Sequence, residues 1–200
     1  VKDLNNDGLP ELALVDDKNS NIYIVENQSN PGNLNFGATL EIAVSGGFQN
    51  LKIGDINKDG FNDMVITDRI NSRVSVLKNE TSTIGGSINL SSATTISNGI
   101  NAPWGLDLGD LDGDGNLDIA ISSTATSGSN IQILLGDDPT NFSFVGTTTL
   151  STTNNSRNIK IGDLNGDGKP DIALTHKTSG VGDLSVFINR NCVIPKITPI

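Results

Sequence analysis

Cysteine is almost missing from this chain: its 200 residues include one, Cys192, so no disulfide within it can hold the fold. Histidine also occurs once, at His176, and a catalytic pair of nucleophile and base therefore has little to draw on. His176 follows an apolar run and reads as the exposed polar end of a strand. Cys192 sits in a tail with Pro195 and Pro199, with no basic helix terminus to activate a thiolate. No apolar run is long enough to span a membrane. Positive charge is scarce too, 13 Lys and Arg against 23 Asp and Glu, which leaves a net charge of −10. Without basic clusters interleaved with aromatics, nucleic acid is excluded as a partner. Helical periodicity is absent throughout, and with it any bundle architecture.

What the chain does have is one acidic loop repeated four times: DLNNDGLPE from Asp3, DINKDGFND from Asp55, DLDGDGNLD from Asp110 and DLNGDGKPD from Asp163. The starts are spaced by 52, 55 and 53 residues, the signature of a repeat architecture. Positions 1, 3, 5 and 9 of each copy carry side-chain oxygens: Asp3, Asn5, Asp7, Glu11; Asp55, Asn57, Asp59, Asp63; Asp110, Asp112, Asp114, Asp118; and Asp163, Asn165, Asp167, Asp171. Position 7 (Leu9, Phe61, Asn116, Lys169) varies freely, as suits a residue that contributes its backbone carbonyl. A hard cation takes roughly six to eight oxygens from alternate residues of a tight loop, which points to calcium, up to four ions, one per loop. Magnesium, which keeps its water in near-octahedral geometry, fits less well. Gly8, Gly60, Gly115 and Gly168 follow the fifth position, where the chain needs positive φ to bend round an ion. The loops hold 13 of the 23 acidic residues, and four calcium ions would bring the formal charge to about −2. Turn propensity favours Asp, Asn and Gly, but it does not demand the same four oxygen positions four times.

An EF-hand is excluded because position 12 is Leu14, Ile66, Ile121 or Leu174 instead of a bidentate Glu, and no helix flanks the loop. Period-2 apolar alternation flanks it instead, as in Leu51 and Ile53 before the second copy and Met64 and Ile66 after it. Each loop is therefore expected to join two strands of a hairpin. A third apolar run recurs at Ile22–Val25, Val74–Leu77, Ile131–Leu135 and Leu184–Ile188. Weaker strand candidates at 38–44, 87–96 and 142–150 would supply an outer strand. The fold class is accordingly all-β, with about four antiparallel strands per repeat, as in the blades of a β-propeller. The units run over about 1–48, 49–102, 103–156 and 157–190, and 191–200 reads as a linker or the start of a following domain.

The D-[LI]-[ND]-x-D-G-x-x-[DE] loop, followed by runs such as VSVLKN (Val74–Asn79) and LSVFIN (Leu184–Asn189), resembles the FG-GAP/VCBS-type repeats of integrin-α-like propellers. Phe36-Gly37-Ala38 supplies a partial copy of the Phe-Gly signature. The resemblance implies calcium between the first and second strands of a blade, and rings of roughly seven blades. The first unit lacks the strand seen elsewhere as LKIG, LDLG and IKIG, so the chain is expected to be part of a larger propeller with further blades or domains. The resemblance also implies a non-enzymatic, secreted or cell-surface segment that serves adhesion or ligand recognition. The alternative is an accessory or partial propeller domain of a secreted polysaccharide-active enzyme. Weak structural calcium sites fit the calcium-rich exterior of cells. A recognition surface for a protein or glycan would lie on the connections entering each first strand, far from the metal loops. Gln49, Trp104 and Arg157, each six residues before a loop, occupy equivalent places there.

Overall fold

Alternating apolar residues on each side of the acidic loops form antiparallel meanders in the computed structural model, which describes residues 1–97, 99–124, 130–152, 155–177, 182–190 and 197–199. Blade I has three strands, Leu12–Asp16 (β1), Asn21–Asn27 (β2) and Phe36–Ala43 (β3). Blade II has Phe48–Gly54 (β4), Asp63–Asp68 (β5), Arg73–Leu77 (β6) and Thr94–Ile96 (β7). Blade III has Pro103–Gly109 (β8), Asp118–Ser123 (β9), Asn130–Asp138 (β10) and Ser143–Ser151 (β11). Blade IV has Asn155–Gly162 (β12), Asp171–Lys177 (β13), Gly182–Asn189 (β14) and Ile197–Pro199 (β15). Strand order within each sheet follows the sequence, as in propeller-like blades. Residues 197–199, inside the stretch read from sequence as a linker, pair with β14. Cys192 lies outside the described residues.

Three apolar clusters fill the spaces between successive blades. Leu4, Ile22, Ile24, Met64 and Ile66 join blades I and II. Ile56, Val65, Val76, Ile119 and Ile121 join II and III, and Leu111, Ile131, Ile133, Ile172 and Leu174 join III and IV. In the middle strands of blades II and III alternation puts one row into one cluster and the next row into its neighbour, so β5 is buried along its whole length: Ile66 faces blade I while Val65 faces blade III. Burying each such aliphatic side chain contributes on the order of 1.5–3 kcal/mol, and every one of these contacts needs a neighbouring repeat.

Two further devices register the first strands β4, β8 and β12. Asp107 of β8 pairs with Lys52 of β4 at 2.7 Å and Lys160 of β12 at 3.7 Å, and accepts the Ile161 N–H at 2.8 Å. These three charged residues stand at the same place, three before each loop. At the strand ends far from the loops, the ladder to the second strand is irregular, and a hydroxyl fills the gap. Thr67 accepts the Asn50 N–H and donates to the Trp104 carbonyl of the next blade. Ser122 accepts the Gly105 N–H and donates to the Arg157 carbonyl. Gly105 is required there because a Cβ would collide with that carbonyl.

Candidate metal centre

The loops close each first-to-second hairpin, where Gly54 opposes Asp63, Gly109 opposes Asp118 and Gly162 opposes Asp171. In blade I an isolated bridge between Lys2 and Glu11 holds the same place. Each loop turns twice through positive φ: at position 4 (Asn6, Lys58, Gly113, Gly166) and at position 6 (Gly8, Gly60, Gly115, Gly168). The glycines expected to need this conformation have it, with φ of 81 to 91°.

The same side-chain hydrogen bonds recur in every loop. The first Asp accepts the N–H of the glycine at position 6, from Gly8 to Asp3, Gly60 to Asp55, Gly115 to Asp110 and Gly168 to Asp163, over 2.8–3.0 Å. The third residue accepts the N–H of the fifth, and the fifth accepts that of the seventh. Leu9, Phe61, Asn116 and Lys169 thus have their N–H groups fixed by the acid two residues before. Three oxygen-bearing side chains are turned toward the loop interior before any ion is considered.

The ninth residue is the pivot. Glu11, Asp63, Asp118 and Asp171 are all fully buried. One oxygen of each accepts the N–H of position 2, from Leu4, Ile56, Leu111 and Leu164 at 2.6–3.0 Å. In blades II, III and IV the other oxygen takes the N–H of Asn79, Gly136 or Asn189 at the end of the third strand. One carboxylate therefore ties its loop to a strand 16 or 18 residues later in the chain.

Electrostatics favour a cation. Burial first, then neighbouring carboxylates, push Asp63 and Asp118 up to about 6. Glu11 and Asp112 are raised for the same reasons, Asp112 by burial and then by Asp114 and Asp110. Asp163 goes the other way, held below the usual carboxylate range chiefly by the Gly168 N–H. In blade III, one oxygen from each of Asp110, Asp112 and Asp118 falls within 4.8 Å of the others. In blade I, Asp3 Oδ1 is buried with no hydrogen-bond partner, as suits a ligand oxygen. The donor set therefore fits calcium.

A family model for the FG-GAP-like repeat matches residues 3–66, 55–121 and 122–174, spanning all four acidic loops. The chain belongs to the FG-GAP-like repeat family. No curated protein matches it. The FG-GAP repeats account for the recurrence of loop and strands, and none of the described helices is long and apolar enough to cross a membrane.

Some residues lie differently from their sequence-based placement. Gln49, Trp104 and Arg157 lie inside β4, β8 and β12, not in the connections before them. The Arg157 guanidinium stands 3.9 Å from the Trp104 ring centroid and that of Arg69 stands 5.7 Å away. His176 is not an exposed strand end: β13 runs to Lys177, and the ring is 6% exposed, held by Ser185 at 2.8 Å and Ser156 at 3.5 Å. Sequence reasoning missed Asn79 and Asn189. Their side-chain amides donate to the carbonyls of Leu4 and Leu111, in the loop of the preceding blade, at 2.8 and 2.7 Å. The available signal was the asparagine that ends both VSVLKN and LSVFIN.

Proposed function

We propose that this FG-GAP segment is a calcium-stabilised, non-catalytic part of an extracellular propeller used for adhesion or ligand recognition. The observations that carry the calcium reading are the buried, unpartnered Asp3 Oδ1 and the convergence of Asp110, Asp112 and Asp118, each in a loop of four oxygen-bearing side chains. Positions 1, 3, 5 and 9 would hold one ion per loop, with the carbonyl of position 7 completing the protein ligands. A bound ion would supply the positive charge that lets the buried ninth carboxylate stay ionised. That carboxylate joins loop, second strand and third strand, so its ionised state rigidifies the blade.

A further repeat is proposed to cover blade IV. Leu4, Ile56 and Leu111, at position 2 of the first three loops, are 0–3% exposed under the following blade, whereas Leu164 is 55% exposed. The recognition reading is supported by the family and by the varied residues at one row of the first strands.

Calorimetric titration of the calcium-stripped protein tests the metal reading. Up to four ions should bind, and melting in calcium should exceed melting in EGTA, by about 2.7 kcal/mol of added stability per site at a hundredfold excess over Kd. Identical melting and protease resistance in the two buffers would reject it.

A further inference from the structure

We propose that the end of the blades far from the acidic loops binds a carboxylate presented by an acidic segment of a partner protein, with Arg69 and Arg157 as donors and Trp104 as the plate that holds them. The proposal rests on the recognition reading above and names its ligand. Trp104 is the only Trp of the chain, and its ring carries two guanidinium groups, Arg157 at 3.9 Å and Arg69 at 5.7 Å from the centroid. They come from blades IV and II, so three blades converge on one point. Cation–π attraction holds each arginine on the ring but leaves two like charges side by side.

Neither charge is neutralised by the protein. Lys52 and Lys160 pair with Asp107, Arg73 with Asp68 and Lys78 with Asp59, yet Arg69 and Arg157 have no carboxylate partner among the described residues. Among the described residues the Arg69 side chain makes one long bond, Nε to Thr124 Oγ1 at 3.4 Å. Arg157 Nε is buried without a partner. In a chain of net charge −10, two unpaired arginines fixed on one ring are a site prepared for an anion. A guanidinium fork matches the two oxygens of a carboxylate. Trp104 lies six residues before Asp110, which along an extended strand is roughly 20 Å from the acidic loop. That is about two screening lengths at physiological salt, so the loop does not repel the ligand strongly. A neutral sugar would have to displace a guanidinium to stack on this ring, whereas Trp and Arg together typify the energetic centres of protein interfaces. These points favour an acidic protein segment over a glycan.

Fluorescence anisotropy of a labelled hexa-aspartate peptide, with hexa-asparagine as the uncharged control and free calcium clamped, tests the proposal. Hexa-aspartate should bind, more weakly as salt rises, and Arg69→Gln and Arg157→Gln should each weaken binding about tenfold without lowering the melting temperature. If Arg157→Gln fails to fold, Arg69→Gln, an exposed position, decides. Equal binding of the two peptides, or binding that survives both substitutions, overturns the proposal. Trp104-dependent binding of polygalacturonate or a neutral oligosaccharide in place of hexa-aspartate also overturns it, while leaving the recognition reading standing. Failure of every probe, and of capture on surface-protein and glycan arrays, defeats both.

Discussion

Asn79 donates its side-chain amide to the carbonyl of Leu4, 2.8 Å away across the boundary between blades I and II, while its own backbone N–H is held by Asp63. The equivalent residue in blade IV, Asn189, reaches Leu111 in blade III in the same way. One asparagine thus joins the acidic loops of two adjacent blades.

Substituting Asn79→Ala or Asn189→Ala leaves a buried carbonyl without its donor, and each is expected to cost about 1–3 kcal/mol of stability. Urea unfolding of the two variants checks this. A loss within experimental error at both positions would show that the amide link is incidental.

The pH dependence of the calcium-free protein should have an unusual sign. Asp63 and Asp118 have folded-state values of about 6, raised from 3.8, so the fold binds protons more tightly than the unfolded chain does. Their contribution is fully present below about pH 4 and is lost as pH rises through about 6. Asp68 and Asp163, shifted downward, act only below their ordinary range, outside this window. In EGTA the melting temperature should therefore rise between pH 7 and pH 5. Calcium should stabilise less over the same interval, since protons and the ion compete for these carboxylates. Thermal scans in both buffers at several pH values would reveal it, and a flat or falling profile in EGTA would refute it.

Buried and exposed ligands should separate when mutated. Asp114 is exposed, so Asp114→Asn is expected to remove one calcium site and leave calcium-free stability within about 0.5 kcal/mol. Asp118 is fully buried and accepts N–H bonds from both Leu111 and Gly136. An asparagine there offers a single acceptor oxygen, so Asp118→Asn should lose the site and also about 1–3 kcal/mol without calcium. Parallel calorimetry and urea unfolding measure the two effects.

The hydroxyls at the other end offer a matched pair. Ser122 is buried and links Gly105 to Arg157, whereas Thr175, its counterpart in blade IV, is exposed and its hydroxyl bonds to Asn158 alone among the described residues, at 3.2 and 3.5 Å. Ser122→Ala should cost about 1–3 kcal/mol and Thr175→Val less than about 0.5. Equal losses would contradict the bridging role of Ser122.

The loops were legible in the sequence because an ion site written into nine consecutive residues is a local pattern, and repetition made it plain. The strands were legible for the same reason, since Leu51, Ile53, Met64 and Ile66 alternate as a half-buried strand must. What escaped was every contact between blades. Asn79 meets Leu4 across 75 positions and Ser122 meets Arg157 across 35, and nothing local marks such partners. The arginines on Trp104 come from two other blades, so a residue that looked open for stacking carries guanidinium groups already. His176 was misplaced for a smaller reason: its strand continues one residue beyond it, which turns a strand end into an interior position.

The seams between blades are not alike. The asparagine amide ties I to II and III to IV at the loop end, but Gly136 stands at that place in blade III and has no side chain to reach blade II. The hydroxyl ties II to III and III to IV at the opposite end, while Val15 occupies that place in blade I. Of these two fasteners, the seam between III and IV has both and each of the others has one, at opposite ends. Removing a single fastener therefore leaves the I–II or II–III seam with neither, resting on its apolar cluster, whereas the III–IV seam would still keep one.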